Sequence, residues 1–369
     1  MARIHLHPDM FAPDERRLAE QGGFGVSTFR FRSGVAGVRI FDAEREVVLL
    51  PFQGQQVWSA RLGGRDLAMR SMFDEPEQTQ DFLRNYGGFL IHCGVTAMGS
   101  PGADDTHPPH GELPNAPYRD AWLDMGIDGD RATLSLSGAY RHTVGFATNY
   151  VATPTVRLVE GEDRLFVSLA VENLKRTPME LMYLAHINFR PVNGSTLHQS
   201  ALSGPKHQRV RYNLPAHVRT SPGYRDLLDV LATAPERHHT IDSSLVCDPE
   251  VVLSIDCLAD DAGWAMSLQL LPDGTADFVR HRPSQLAHGV RWISRTPDQD
   301  CLGLLLPATA ETEGLTAERR KGNVISLGGG ETFRCQYEAG VLDRDTAGRA
   351  IAAIGRVLAS ERAVAAGVS

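Results

Sequence analysis

Apolar and polar residues alternate along most of this chain, and period two holds from about residue 35 to residue 341. The stretches VAGVRIF (35–41), REVVLLPF (45–52), QVWSARLGGRDL (56–67), RATLSLSGAY (131–140), TVRLVEGEDRLFVSLAVEN (155–173) and ELMYLAHINF (180–189) read as strands. So do VVLSIDCL (251–258), WAMSLQLL (264–271), GVRWIS (289–294), CLGLLLP (301–307) and ETFRCQYEAGVL (331–342). Gly63-Gly64 and the run Glu160 to Asp163 each sit between two alternating stretches, which predicts hairpins there.

Helical spacing is sparse and predicts helices only at roughly 13–20, 76–86 and 345–362. The last has Asp345 or Thr346 as N-cap, and Ile351, Ile354 and Leu358 form an apolar stripe that docks on the body. Strands do not alternate with helices, so a doubly wound sheet is not expected, and no repeat of fixed period exists. The pattern predicts one large all-β domain, a sandwich of two antiparallel sheets with short peripheral helices and a C-terminal helix. Residues 1–34 are expected to pack on the body as an N-terminal extension, 35–342 to form the β domain, and 343–369 to form the closing helix and tail.

Composition narrows the function classes. A chain of 369 residues with 42% hydrophobic residues can bury a sizeable core. A net charge of −8 with no basic stripe argues against a nucleic-acid partner. No run of about 18 apolar residues exists to span a membrane, and the first residues hold no apolar secretory core. The five cysteines are odd in number, scattered, and never spaced as CxxC. That suits reduced thiols and a cytoplasmic location, and offers no zinc ribbon. Oligomeric state stays open, a homodimer included.

Three clusters could carry chemistry. GGFLIHCGVTAMGSPGADDTHPPHGELPN holds His92, His107, His110 and Glu112. Its prolines exclude a helix interior or a central strand, so it reads as a stiff loop presenting titratable groups. The bland alternative is a turn-rich loop whose histidines only bond to backbone. LAHINFRP places His186 at the end of an apolar strand beside Asn188 and Arg190. A satisfied core histidine is the alternative there. LLLPATAETEGLTAERRKGN delivers Glu311 and Glu313 just after a strand runs out at Pro307. Glutamates in loops are usually just solvated. All three lie at strand ends or interruptions, where a sandwich can assemble a cleft, and a histidine facing a carboxylate there can act as general acid and base. GGG at 328–330 has no helix behind it and is no phosphate loop, and no GxSxG elbow occurs.

The block GGFLIHCG…HPPHGELPNAPY, the strand end LAHINF, the late PATAETEG and the closing LGGGETFRCQYEAGVL together resemble the aldose 1-epimerase (galactose mutarotase-like) superfamily, in an epimerase-like bacterial branch, over about residues 35–342. The resemblance implies a β-supersandwich with a sugar cleft, and an isomerase that opens and recloses a sugar ring. It implies that His186 protonates the ring oxygen and that Glu311, or Glu313 two residues on, takes the anomeric proton. His110 matches the histidine that hydrogen-bonds the sugar, and His107, Asn188, Arg190 and Glu313 are expected beside it as further substrate-binding groups of this chain. HINFRP departs from the aromatic-Asn-Leu usual after the strand histidine, and Glu112 is an addition. Glu112 would bind sugar hydroxyls or serve as a second acid/base.

The resulting expectation is a carbohydrate mutarotase or epimerase that uses no cofactor and binds a small-molecule sugar. A second expectation is a metal-dependent sugar isomerase, with one divalent ion held by His107, His110, Glu112 and His186 (or His92). A third is a non-catalytic sugar-binding protein on the same fold.

Overall fold

The computed structural model describes residues 2–212, 214 and 219–365. Within them the strands form two antiparallel sheets, one of thirteen and one of ten strands. The all-β sandwich expected from the alternation is therefore what the chain adopts. One contiguous apolar core lies between the sheets.

The strand Met179–Ile187 shows how the alternation is used. It pairs with Leu90–Val95 on one side and with Asp300–Ala308 on the other, at the centre of the thirteen-stranded sheet. Tyr183 points into the inter-sheet core, where its hydroxyl meets that of Tyr337 on the ten-stranded sheet at 2.9 Å. By parity, Met182, Leu184 and His186 share the opposite face and project away from the ten-stranded sheet. The strand is nonetheless buried throughout Leu181–Ile187, because both of its faces are covered. That double cover accounts for its near-continuous apolar sequence.

Residues 2–34 contribute strands to both sheets. Ala2–Leu6 pairs with Asp120–Asp128 at an edge of the ten-stranded sheet, and Arg16–Gln21 with Phe24–Arg30 closes an edge of the other. The helix expected at 13–20 is thus a strand. RRLAEQ contains good helix formers, but it turns through Gly22 (φ +57°) into a strongly β-forming partner, and pairing overrides local propensity. Over 76–86 only a single 3₁₀ turn forms, Phe82–Arg84, with Asp81 accepting from the Leu83 N–H. Side chains take the backbone groups a helix would have used: Glu77 N–H donates to Asn85, and Glu77 C=O accepts from Gln53.

The C-terminal helix is present as Arg344–Ala365. Its cap is Asp343, whose carboxylate accepts from Thr346 N–H at 2.8 Å, rather than Asp345 or Thr346. Ile351, Ile354 and Leu358 dock on a satellite cluster of Leu268, Phe278 and Leu342. The end of the expected tail, 366–369, lies outside the described residues. Two helices were not expected, Tyr224–Thr233 and Leu315–Lys321. Among the described residues no helix is long and apolar enough to cross a membrane.

Candidate active site

A cleft with about 640 Å³ of open space lies on the outer face of the thirteen-stranded sheet. Its floor comes from four adjacent strands. Cys247–Ile255 supplies Glu250 and Val252, His288–Arg295 supplies Val290 and Trp292, and the central pair supplies Leu306, Leu184 and His186. Phe82, Leu83 and Tyr86 form one wall, Pro109 and His110 another, and Arg211 and Thr312 stand at the rim.

His186 is 4% exposed. Its Nδ1 lies 2.7 Å from Asn188 Oδ1. The Asn188 amide is oriented by its own Nδ2, which donates to Gly88 C=O at 2.9 Å. Oδ1 must therefore accept, so Nδ1 carries the proton and Nε2 presents a lone pair. The Tyr86 hydroxyl, 3.1 Å from Nε2, is its donor. Burial pushes the His186 pKa down to about 4, against a smaller upward pull from the Asn188 bond, so the resting ring is neutral.

His110 reaches the cleft through an unusual backbone. Its φ is +59°, followed by Gly111 at +78°, and its N–H and C=O bond to Gly99 C=O and Gly94 N–H, each at 2.9 Å. This sews the proline-braced loop to the strand end and sets the His110 ring 5.4 Å from His186 and 4.7 Å from Phe82. Burial, then the neighbouring His186, Arg211 and His107, hold its pKa well below the ordinary histidine value. Its Nδ1 is buried without a partner.

Glu250 is the carboxylate of this cleft, and the sequence reading did not single it out. Its Oε1 accepts from the Arg211 guanidinium at 2.5 Å and its Oε2 from the Trp292 indole N–H at 2.6 Å. The Trp292 ring lies edge-on to His186 at 5.2 Å, so one indole separates the carboxylate from the imidazole. The available signal was a lone glutamate opening an apolar strand, at a register shift between Cys247 and Val251. Tyr86, Arg211 and Trp292 were missed as well, and nothing local marks them.

Several expected residues lie elsewhere. Glu311 lines an adjoining hollow with Arg209, Glu313 and Lys321 instead of the cleft floor. Arg209 donates to Glu311 at 3.1 Å, and the Lys321 ammonium reaches Glu311, Glu313 and Glu318 together. These partners outweigh burial and lower the Glu311 pKa to about 2, which makes it a weak base. Glu112 points to Thr96 and Tyr150: both oxygens accept from Thr96, and Oε1 accepts from the Tyr150 hydroxyl at 2.6 Å. It ties the loop to the ten-stranded sheet and does not face the cleft. His107 turns to its own backbone, Nδ1 to Pro108 C=O at 2.9 Å, while Nε2 accepts from Leu315 N–H. Arg190 is exposed, with Nε on Ala68 C=O, and lines no part of the cleft. Asn188 acts behind His186 and is fully buried.

The expected metal ligands do not converge. His107, Glu112 and His186 face three different sets of partners, and His92 points into the core, where its Nδ1 lies 2.7 Å from the Tyr183 hydroxyl. Among the described residues one group brings three ligand atoms within 4.8 Å, Glu311, Glu313 and Glu318, and the Lys321 ammonium already bonds all three.

The motif's asparagine has a different task. Asn115 Oδ1 accepts from the buried amides of Asn85 at 2.8 Å, Gln56 at 2.9 Å and Gln53 at 3.3 Å, while its Nδ2 donates to Asp81 C=O. This amide hub anchors the segment that carries Phe82 and Tyr86 over the cleft.

A family model described as a domain of unknown function (DUF4432) matches residues 33–203. Comparison with curated proteins returned no match. Among solved structures, a candidate aldose 1-epimerase from Klebsiella pneumoniae superposes with a TM-score of 0.79 at 14% identity, covering 93% of this chain and 91% of its own. A galactose mutarotase-like protein from Clostridium acetobutylicum gives 0.61 at 13% identity, over 87% and 99%. Galactose 1-epimerase from Lactobacillus acidophilus gives 0.50 at 12% identity, over 89% and 98%. At such identities the likeness speaks for architecture alone, and on that ground this chain has the galactose mutarotase-like fold.

Proposed function

We propose that this protein is an aldose 1-epimerase-like isomerase that interconverts the anomers of a sugar by proton transfer between protein side chains. The observation that carries the reading is the joint placement of a neutral, tautomer-locked imidazole (His186) and a carboxylate (Glu250) around Trp292 in one partly closed cleft. The fold shared with galactose 1-epimerase supports it. The free thiols of all five cysteines are in keeping with a reducing compartment such as the cytoplasm.

Ring opening moves one proton from the anomeric hydroxyl to the ring oxygen. Glu250, rather than Glu311, takes the first proton in this proposal, and His186, neutral at rest, takes up a proton on Nε2 before it gives the second to the ring oxygen. Ring closure on the other face reverses both transfers, so each group is base in one half-reaction and acid in the other. The pair must carry one labile proton between them. Asn188 keeps Nδ1 occupied so that Nε2 is the nitrogen that exchanges it. His110 binds the sugar beside His186. No metal or organic cofactor enters this scheme.

Exchange NMR on a panel of aldoses tests it. Glu250→Gln and His186→Ala should each lower the exchange rate by about 10²–10⁴-fold with the fold intact. Full turnover in His186→Ala would sink the mechanism.

A further inference from the structure

We infer that the cleft is built for an uncharged, hydroxyl-poor sugar, a 6-deoxyhexose being the simplest member of that class. The inference rests on the anomer-exchange reading above and names the substrate class of the same site.

Its ground is the balance between the polar groups a hexose would bring and those the cleft has free. A hexopyranose carries five hydroxyls and a ring oxygen, and each hydroxyl has one donor and two lone pairs. Several polar groups lining the cleft already carry part of their hydrogen bonding, and the floor between them is apolar. Glu250 accepts from Arg211 and Trp292 on separate oxygens. Arg211 spends NH2 on Glu250 and NH1 on Thr312 at 3.3 Å. His186 Nδ1 is taken by Asn188, which leaves Nε2, met by the Tyr86 hydroxyl, as its one nitrogen for the sugar. Among the described residues, Arg211 Nε and His110 Nδ1 are cleft-lining atoms buried without a partner. The rest of the floor is Leu184, Val252, Val290 and Leu306, which pair with no hydroxyl. A sugar hydroxyl pressed on that floor loses water and gains nothing, whereas C–H and CH₃ groups fit it and the edges of Trp292 and Tyr86.

Charge leads the same way. The Arg211 guanidinium is matched by Glu250 at 2.5 Å, and burial keeps His186 and His110 below the ordinary histidine pKa. Among the described residues lining the cleft, the one cationic group left without a carboxylate is the imidazolium that His186 forms to act as the acid, so an anionic sugar would pair with the proton the reaction needs.

Matched pairs that differ only at C6 provide the test: fucose against galactose, and rhamnose against mannose, with galactose 6-phosphate as the charged arm. In exchange NMR the deoxy member of at least one pair should have the higher kcat/KM by about 10–100-fold, the range a hydrophobic pocket achieves against an added hydroxyl. The phosphate should not be turned over. Val290→Thr, which adds a hydrogen-bond partner to the floor at nearly constant volume, should narrow the ratio. Saturation-transfer NMR on the same sugars reads binding without chemistry. Deoxy preference in binding with no exchange would uphold the substrate class and sink the reaction. Exchange with equal or reversed preference in both pairs would overturn the substrate class and leave the reaction standing. Turnover of the 6-phosphate at a rate matching the neutral sugars would also overturn it.

Discussion

His186 donates its Nδ1–H to Asn188 Oδ1 at 2.7 Å, and Asn188 is itself pinned to Gly88 C=O. Two residues on one strand end thus decide which imidazole nitrogen faces the cleft. An asparagine in this place orients the ring without adding charge, so burial is left free to hold His186 near pKa 4.

That relationship sets a pH dependence. The acid is the protonated form of His186, whose pKa is near 4, so exchange slows as pH rises between about pH 5 and pH 8 because fewer molecules carry the imidazolium proton. Asn188→Asp places a carboxylate on Nδ1–H, favours the imidazolium and raises the His186 pKa. The decline in rate should then move to higher pH. A pH–rate profile of both proteins checks this, and identical profiles would remove His186 from the proton path.

The two candidate bases separate cleanly. Glu250→Gln should reduce exchange by about 10²–10⁴-fold. Glu311→Gln should change it less than about fivefold, since Glu311 faces Arg209 and Lys321 outside the cleft floor. Collapse of activity in Glu311→Gln with Glu250→Gln unaffected would restore Glu311 as the base.

Asn115 offers a test of the cleft wall. Asn115→Ala leaves the buried amides of Gln53, Gln56 and Asn85 short of an acceptor, costing on the order of 2–3 kcal/mol in stability. Phe82 and Tyr86 lose their anchor, so KM should rise more than kcat falls. Thermal unfolding together with saturation kinetics measures both effects. Unchanged KM would show that the wall is held by other contacts.

Stability should fall steeply under mild acid. Burial lowers the pKa of His92, His186, His239 and His281 to about 4. Between that value and their ordinary 6.5 the unfolded chain binds more protons than the folded one, so stability is lost as pH falls through this window. The sum is on the order of several kcal/mol. Urea denaturation at a series of pH values measures it, and a flat midpoint from about pH 6.5 to pH 4 would contradict the burial of these rings.

The all-β class and the hairpins at Gly63-Gly64 and 160–163 were legible in the sequence because burial on a sheet follows a parity that two or three neighbouring residues already display. The C-terminal helix was legible for the same reason, with Ile351, Ile354 and Leu358 marking one face. His186 stood out as a histidine closing an apolar strand, and His110 as part of a proline-braced loop. Tertiary structure alone decided the rest. RRLAEQ became an edge strand because Phe24–Arg30 was there to pair with it. Glu250 and Trp292 are 42 positions apart, and they meet only because their strands lie side by side in the sheet. Glu311 and Glu313 looked like free carboxylates until Lys321, at the end of an unexpected helix, reached back to them. Local spacing records which face a side chain takes. Which partner waits on that face depends on contacts between distant segments, and no short window of sequence contains them.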